Sequence, residues 1–326
     1  MKTRELKPIV TKDAWHKRLQ VKIAAVLQRQ IYDALISIAE DCTFENAKDS
    51  ALIGALKGGQ VRLVGSTITG KFNAAIAKEL RSYGATYDNR RKAYDTSKAN
   101  LPERVVSAAI RAQASMARLA TGLNAIISSI PERVTQGLEQ IDWLGNAADV
   151  EEEFEDDFRE TVSRVISVQP KITKVMRAEI RKGYTENVER SIKGFAQDET
   201  EKLRSMIQTF VTAGRPRASL VTDLQARLRV SRERARFIAR QETSLFTSQL
   251  KQTQYENAGI SQYRWKAIGG KAGDGRTRDS HRAAHGKIFF WDQSLNENPV
   301  RDEKGNPQHP GTEFNCRCQA VPIVEF

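Results

Sequence analysis

The sequence is poor in cysteine and contains no segment suited to a membrane. Its 326 residues include three cysteines, an odd and small number that argues against a disulfide-stabilised scaffold. No apolar run is long enough to span a bilayer. The first residues, MKTRELKPIVTKDAW, lack the apolar region of a signal peptide. We therefore expect a protein that is made and retained in a cytoplasm, without a membrane as a resident partner.

Common catalytic signatures are also missing. The chain has no Walker A sequence, no GxSxG nucleophile elbow, no HExxH pair and no Pro-Cys-x-x-Cys deaminase signature. Cys42 follows a predicted helix and is better explained as a small packed side chain than as a nucleophile. These absences predict a protein that is not an enzyme.

The side chains that can bind a transition metal are concentrated at one end of the chain. The last 46 residues contain three of the four histidines and two of the three cysteines, at His281, His285, His309, Cys316 and Cys318. His281 and His285 would share one face of a helical turn, and Cys316 and Cys318 one face of a strand. Two thiolates and two imidazoles suit tetrahedral zinc, and five candidates for four positions predict a filled, structural site for one zinc ion. The alternative is ordinary surface histidines and two reduced thiols.

Basic residues outnumber acidic ones, with 52 Lys and Arg against 40 Asp and Glu and a formal net charge of +12. Such a surplus favours polyanions or acidic protein surfaces as partners. Seven arginines are candidate contacts for nucleic acid or an acidic partner: Arg215, Arg217, Arg227, Arg229, Arg232, Arg234 and Arg236. Arginine favours planar partners such as phosphates and carboxylates. The alternative is a solvated helix face that pairs with the acidic block at residues 151–157.

Apolar residues recur at three- and four-residue steps over residues 13–48, and again from about residue 72 to about residue 258. This periodicity predicts helices. Glycines interrupt residues 54–70, where a short hairpin, a loop or a weakened helix would each fit. Within the helical stretch, Pro131 is predicted in the first turn of a new helix and Ser231 is predicted to cap another.

The predicted fold class is mainly α, with a long helical N-terminal body and a small C-terminal α+β domain. Three segments near the end alternate or are rich in β-branched and aromatic residues, which predicts strands at Gln262–Ile268, Lys287–Trp291 and Cys316–Val324. We predict a helical region over residues 1–130, a helical middle region over residues 131–224 and the α+β domain over residues 225–326. A metal would help so small a domain to fold.

Glu242 is predicted to lie among apolar neighbours on one stripe of a helix. A buried carboxylate needs a partner, and Arg276 or Arg278 of the following domain is the candidate. The alternative places Glu242 at the wet edge of the stripe.

Short motifs follow one another in a specific order through residues 225–324. In chain order they are Arg240-Gln241-Glu242, Tyr263-Arg264-Trp265, Asp274-Gly275-Arg276-Thr277-Arg278, His281, Gly286-Lys287-Ile288-Phe289, His309-Pro310-Gly311 and Asn315-Cys316-Arg317-Cys318. This order resembles the phage Mu F-like head-morphogenesis domain, which occurs in minor head proteins of tailed bacteriophages. The resemblance makes Arg240, Glu242, Arg276 and Arg278 structural motif residues. The chain has Arg-Gln-Glu where Arg-Thr-Glu is usual, and His285 where the family often has Asp, which favours His309 as the fourth metal ligand.

The resemblance implies a minor capsid protein that is present in few copies inside the capsid, near the portal vertex, after assembly in the host cytoplasm. The implied partners are the portal protein, inner capsid or scaffolding proteins, and double-stranded DNA bound through its backbone without sequence specificity. The family is not generally credited with an enzymatic activity. Two alternatives are a zinc-dependent nuclease with His281, His309 and Asn315 as catalytic residues, and a free basic DNA-binding protein.

Overall fold

The structure is a computed structural model, and it describes residues 3–41, 50–163, 165, 172–213, 217–292, 294, 300–302 and 304–325. Cys42 and Arg215 lie outside the described residues, as does the side chain of Arg217. The helices are α1 (Asp13–Leu27), α2 (Asp33–Asp41), α3 (Ala51–Lys57), α4 (Ala74–Ser82), α5 (Glu103–Glu139), α6 (Trp143–Val162), α7 (Lys174–Ala213), α8 (Arg217–Asn257) and α9 (Asp279–Ala284). The strands are β1 (Thr3–Glu5), β2 (Val61–Val64), β3 (Thr67–Gly70), β4 (Thr86–Asp88), β5 (Ala93–Asp95), β6 (Gln262–Lys266), β7 (Ile288–Phe290) and β8 (Gln319–Glu325).

The predicted fold class is confirmed, because long helices dominate the chain and a small sheet with one short helix occupies its C-terminal part. Among the described residues, no helix is both long and apolar enough to cross a membrane. The chain forms two compact units: unit 1 comprises Met1–Ala24, Glu139–Ile192 and Glu233–Phe326, and unit 2 comprises Ala25–Leu138 and Lys193–Arg232. The predicted region boundaries, after residues 130 and 224, fall inside α5 and α8. The three-region division stays a prediction.

Unit 2 contains a four-stranded antiparallel sheet with the order β2-β3-β5-β4. The glycine-rich residues 54–70 include the β2-β3 hairpin, which selects the first of the three predicted alternatives. Gly65 turns the chain with a φ of 59°. Gly70 has a φ of 134°, and a Cβ there would collide with the Gln60 carbonyl oxygen. Helix α3 and the start of α5 pack on the same small core, which includes the fully buried Leu52 and Ile68.

Strands β4 and β5 lie in the stretch that the periodicity assigned to helix, so that assignment was wrong for residues 86–95. The Tyr94 ring on β5 lies 5.0 Å from the rings of both Tyr87 and Phe72, and aromatic residues in such cross-strand contacts favour strands. Asp88 then turns the chain, because its carboxylate accepts a hydrogen bond from the backbone N–H of Arg90 at 2.8 Å. Tertiary packing and turn chemistry therefore outweigh the apolar spacing here.

The long helices continue through two residues that were expected to begin new ones. Pro131 lies inside α5 and Ser231 inside α8, so both predictions were wrong. The Ser231 hydroxyl lies 2.8 Å from the Tyr32 hydroxyl instead of capping a helix. Tertiary partners thus explain Ser231 better than the local sequence does.

Ser231 belongs to a buried cluster in unit 2 that is centred on Glu199. The Glu199 carboxylate is completely buried and receives hydrogen bonds from the Tyr32 hydroxyl at 2.5 Å and the Arg227 Nε at 2.8 Å. A second hydrogen bond joins Arg227 Nη2 to the other oxygen of Glu199. Burial, followed by the neighbouring Glu199 charge, raises the pKa of Tyr32. The cluster therefore supplies its own counter-charge.

In unit 1, a second antiparallel sheet has the order β1-β8-β6-β7 and carries the candidate site. Strand β6 pairs with both β7 and β8, and the N-terminal β1 pairs with β8 through partners such as Thr3 and Glu325. The three predicted strands are confirmed, although β8 begins at Gln319, after the two cysteines. Strand β1 was not predicted, because three exposed residues carry no apolar alternation.

Aromatic side chains fill the core beside this sheet. Tyr263 and Trp265 on β6 are completely buried, and the Tyr263 ring lies 4.4 Å from that of Trp291. Trp291 in turn stacks on Tyr255 of α8, with 5.9 Å between ring centroids. Their burial makes these aromatics part of a core rather than a base-stacking surface.

Candidate metal centre

His281 lies in the short helix α9, which follows a loop ordered by Asp274. The Asp274 carboxylate accepts hydrogen bonds from the Arg276 backbone N–H at 3.1 Å and the Thr277 hydroxyl at 2.9 Å. Arg317 contributes a further hydrogen bond at 2.5 Å, and these partners, Arg317 first, hold the pKa of Asp274 well below its usual range. The aspartate therefore links the loop before His281 to the residue between the two cysteines.

The two cysteines follow a pair of backbone turns that bring them close to α8. Gly311 has a φ of 90°, and a Cβ at this position would collide with the Ser248 hydroxyl, so only glycine permits this approach. Asn315 has a φ of 56°, a conformation that asparagine tolerates better than most residues. Its backbone N–H donates a hydrogen bond to Gln241 on α8. The Asn-Cys-Arg-Cys motif therefore meets the Arg-Gln-Glu motif through a backbone N–H, whereas the His-Pro-Gly motif lies against Ser248 further along the same helix.

His281, Cys316 and Cys318 form a buried group whose ligand atoms all lie within 4.8 Å of one another. The His281 Nδ1 atom is 3.2 Å from Cys318 Sγ and 3.6 Å from Cys316 Sγ. The backbone N–H of Gly311 donates to Cys316 Sγ at 3.3 Å, and that of Cys318 at 3.4 Å. Such N–H contacts stabilise a thiolate, the form that binds metals.

The electrostatics of the group also favour a thiolate at Cys316. The hydrogen bond from Cys318, followed by the contact with His281, holds the pKa of Cys316 well below its usual range although burial opposes the shift. The same contact with Cys316, together with burial, raises the pKa of the Cys318 thiol. For His281, burial lowers the pKa, but Cys316 and Glu313 together raise it above its ordinary value. These shifts favour a thiolate at Cys316 and a thiol at Cys318.

Glu313 completes the arrangement from the far side of the imidazole. Its carboxylate lies within hydrogen-bond distance of His281 Nε2, whereas both sulfurs face Nδ1. A carboxylate on the outer nitrogen of a ligating histidine fixes the tautomer and orients the ring. Glu313 was missed from the sequence, since a single acidic residue in a turn gives no signal of its own. Its position between the His-Pro-Gly and Asn-Cys-Arg-Cys motifs is the hint that was available.

The other two candidate histidines lie outside the group of three described ligands. His309 is buried, and its Nδ1 atom is 3.0 Å from the Tyr263 hydroxyl. Burial lowers the pKa of His309 to about 4, so the ring is neutral at physiological pH. His285 directly follows α9, and its Nδ1 atom accepts a hydrogen bond from the Ala267 backbone N–H at 3.1 Å. The argument that five candidates would fill four positions therefore does not hold for the described residues.

The predicted partner of Glu242 was wrong. Glu242 is buried, and its carboxylate accepts a hydrogen bond from the Ser191 hydroxyl of α7 at 2.7 Å. Burial raises the pKa of Glu242, which the hydrogen bond from Ser191 only partly offsets. Arg278 instead contacts the Phe314 carbonyl oxygen at 2.8 Å and lies 3.6 Å from Glu313, and Arg276 is exposed. A side chain on the neighbouring long helix, which the motif order does not reveal, supplies the contact.

The arginines between residues 215 and 240 have different environments. Arg227 pairs with Glu199, and Arg177 and Arg181 pair with Glu151, so the expected pairing with the acidic block was wrong for Arg227. The side chains of four others are exposed on α8: Arg229, Arg232, Arg234 and Arg236. Arg232 also donates to Gln28 at 3.2 Å, and Arg236 lies 3.5 Å from Glu233.

These features define a mainly helical protein whose C-terminal α+β region contains a His-Cys-Cys group able to hold a metal ion. Residues 201–321 match the family described as Phage Mu protein F like protein. The resemblance inferred from the ordered motifs is thereby confirmed for this region, which begins in α7, earlier than the predicted residue 225.

The chain is also similar to a protein of Haemophilus influenzae (strain ATCC 51907 / DSM 11121 / KW20 / Rd) that is described as an uncharacterized protein. The two are 35% identical over 123 residues, which is 36% of this chain. The match covers 25% of that relative, so the chain spans about a quarter of its length. No solved structure matches the chain significantly.

Proposed function

We propose that the protein is a minor head protein of a tailed bacteriophage, which acts in head morphogenesis near the portal vertex. The observation that carries the proposal is the match of residues 201–321 to the phage Mu F-like family, together with the ordered motifs around the His-Cys-Cys group. The proposed location is the inside of the capsid, after assembly in the host cytoplasm. The proposed partners are the portal protein and inner capsid or scaffolding proteins.

Quantitative mass spectrometry of purified virions and proheads tests this proposal. We expect the protein in a few copies per particle, far below the major capsid protein, and co-purification with the portal protein. Deletion of its gene should reduce the yield of filled heads. Absence of the protein from purified particles, combined with normal head formation in the deletion strain, would contradict the proposal.

We further propose that the protein contacts packaged DNA through phosphates, without reading bases. The net charge of +12 and the exposed Arg229 and Arg236 of α8 support this contact. Replacement of both arginines by glutamine should weaken binding to duplexes of unrelated sequence equally and reduce the salt dependence of the affinity. Replacement of Arg111, an exposed arginine of α5, is the matched control. Equal binding by the double variant and the control would contradict this part of the proposal.

We propose that the His-Cys-Cys group holds one structural zinc ion. His281, Cys316 and Cys318 would be the ligands, and the buried, convergent set of two sulfurs and one imidazole nitrogen suits zinc. Bound there, the ion would supply a cross-link between α9 and the segment before β8. The fourth position would belong to solvent or to a group supplied in the assembled head. His309 is held by Tyr263 in the core, which disfavours it as a fourth ligand.

A structural role is favoured over the zinc-dependent nuclease. That alternative needs His309 as a catalytic residue, yet His309 is only 4% exposed and its ring packs against Trp291. Plasmid cleavage measured with several divalent metals decides between the two roles. We expect about one equivalent of zinc and no cleavage. Metal-dependent cleavage that disappears in His281→Ala would overturn the proposed non-catalytic role.

A further inference from the structure

A cavity of about 260 Å³ in unit 1 lies beside the two cysteines. Its wall includes one face of α8, where Arg240, Ser244, Ser248 and Lys251 follow one another at helical spacing. The segment before α1 and the residues around Cys316 form other parts of the wall. The cavity is therefore built from several segments of the chain rather than from a single loop.

Lys251 is the unusual residue of this cavity. The residue is 8% exposed, and no hydrogen bond or charge among the described residues offsets the effect of burial on its ammonium group. Burial lowers the pKa of Lys251 to about 8, which leaves the amine largely protonated at neutral pH. An unpaired buried ammonium is destabilising, and buried charges in proteins are normally paired. Because Lys251 lines the cavity, the cavity offers room for the missing partner.

The other charged groups of the cavity leave Lys251 without an internal counter-ion. Arg240 adds a second positive charge, about 16 Å further along the helix axis from its spacing in sequence. Asp13 is exposed and lies 3.8 Å from His16, and Arg317 is paired with Asp274. Cys316 lines the cavity with its sulfur 3.6 Å from His281 Nδ1. The local charges therefore favour an anion at the Lys251 end.

We infer that this cavity binds a small oxyanion, a phosphate or a carboxylate group, whose oxygen atoms pair with the Lys251 ammonium. Ser244 is a neighbouring hydroxyl on the same helix face, whereas the Ser248 hydroxyl already donates to the Pro310 carbonyl oxygen at 3.1 Å. Arg240 raises the electrostatic potential at the other end of the cavity and so attracts the anion. This inference is independent of the proposed phage role and of the proposed zinc.

Thermal unfolding of the full-length protein with inorganic phosphate or acetate, each compared with chloride at equal ionic strength, tests the inference. We expect at least one of the two anions to raise Tm. In Lys251→Met, which removes the charge but keeps the length of the side chain, neither anion should raise Tm. The affinity of this variant for the anion, measured by calorimetry, should be at least tenfold lower. Lys251→Met should also be more stable than the parent without anion. Lys287→Met, at an exposed lysine of the same unit, should respond like the parent.

Chemical labelling of the parent protein provides a test that needs no variant. Acetic anhydride should modify Lys251 more slowly when the anion is present, whereas labelling of Lys287 should not change, as read by peptide mass spectrometry. Protection by phosphate alone identifies a phosphate site, and protection by acetate identifies a carboxylate site. If neither anion raises Tm or protects Lys251, or if Lys251→Met responds like the parent, the inference is wrong.

Discussion

Two buried polar clusters, one in each compact unit, balance their charges in different ways. In unit 2, the Glu199 carboxylate is neutralised by Arg227 and receives a further hydrogen bond from Tyr32. In unit 1, Cys316 and Cys318 lie against His281, with ligand atoms within 4.8 Å of one another. The first cluster is complete as a set of donors and acceptors. The second gains most from an added cation, because a metal allows both thiols to ionise.

The largest expected effect comes from removing the sulfur ligands. If zinc is bound, Cys316→Ser or Cys318→Ser should lose it and should unfold the residues after about 260, including α9, while sparing helices α1 to α8. The expected loss for that region exceeds about 5 kcal/mol, given the free energies of structural zinc sites. Elemental analysis and hydrogen exchange of the full chain measure the two consequences.

Cys42→Ser is the matched control, because it removes the third cysteine of the chain. It should retain zinc and the exchange pattern of the parent. A parent protein without metal, together with both cysteine variants melting like the parent, would show that the C-terminal cluster is held by packing alone.

Breaking the Glu199–Arg227 ion pair of unit 2 should have the next largest effect. Arg227→Met leaves the buried Glu199 without its counter-charge, which should cost about 3–5 kcal/mol. The double variant with Glu199→Gln should cost less than the sum of the two single changes, since no unpaired charge then stays buried. Hydrogen exchange in residues 193–232 measures the loss. Zinc content should not change. If the loss of stability in the double variant equals the sum of the two single losses, Arg227 and Glu199 are not coupled.

The third effect concerns His309, which the sequence assigned to the metal and the structure places against Tyr263. Because burial lowers the pKa of His309 to about 4, the unfolded state binds a proton that the folded state does not. The stabilisation is fully present above about pH 6.5 and is lost as the pH falls toward 4, by about 3 kcal/mol in total.

His309→Phe should flatten this part of the stability-pH curve, measured by denaturant unfolding. Tyr263→Phe, which removes the hydrogen bond but keeps the imidazole, should retain the dependence. Zinc content should be the same in both variants. A loss of zinc in His309→Phe would instead identify His309 as a fourth zinc ligand beside His281, Cys316 and Cys318.

The sequence was most informative where chemistry and local order coincide. The rarity of cysteine and histidine drew attention to His281, Cys316 and Cys318, and short β-branched and aromatic runs predicted β6, β7 and β8. The sequence did not predict the contact of Glu313 with His281 or that of Ser191 with Glu242. Each contact joins residues that are far apart in the sequence or that belong to no recognisable motif. Strand β1 was not predicted for the same reason, because its partner, β8, lies at the opposite end of the chain.

The unit 2 cluster was equally hidden. Glu199 and Arg227 are 28 residues apart on two long helices, and nothing in the local sequence distinguishes that pair from the surrounding charged residues. Ser231 was interpreted as a helix cap, although its hydroxyl contacts Tyr32 within a continuous helix. Charge patterns indicate exposure on average, so one buried salt bridge among exposed arginines becomes visible only in three dimensions.

The smallest expected effect concerns Glu313, whose carboxylate faces the His281 nitrogen that points away from the two cysteines. Glu313→Gln keeps the shape of the side chain but removes the charge that faces His281 Nε2. If His281 binds zinc through Nδ1, the weaker acceptor should lower zinc affinity about 10- to 100-fold, or about 1.4–2.7 kcal/mol. Competition with a chelator of known affinity measures the change. Glu256→Gln, at an exposed glutamate of α8, should leave the affinity unaltered. Equal zinc affinities for the parent and Glu313→Gln would mean that the Glu313 carboxylate orients the turn rather than the His281 ring. The difference between the two buried clusters would then depend on Cys316 and Cys318 alone.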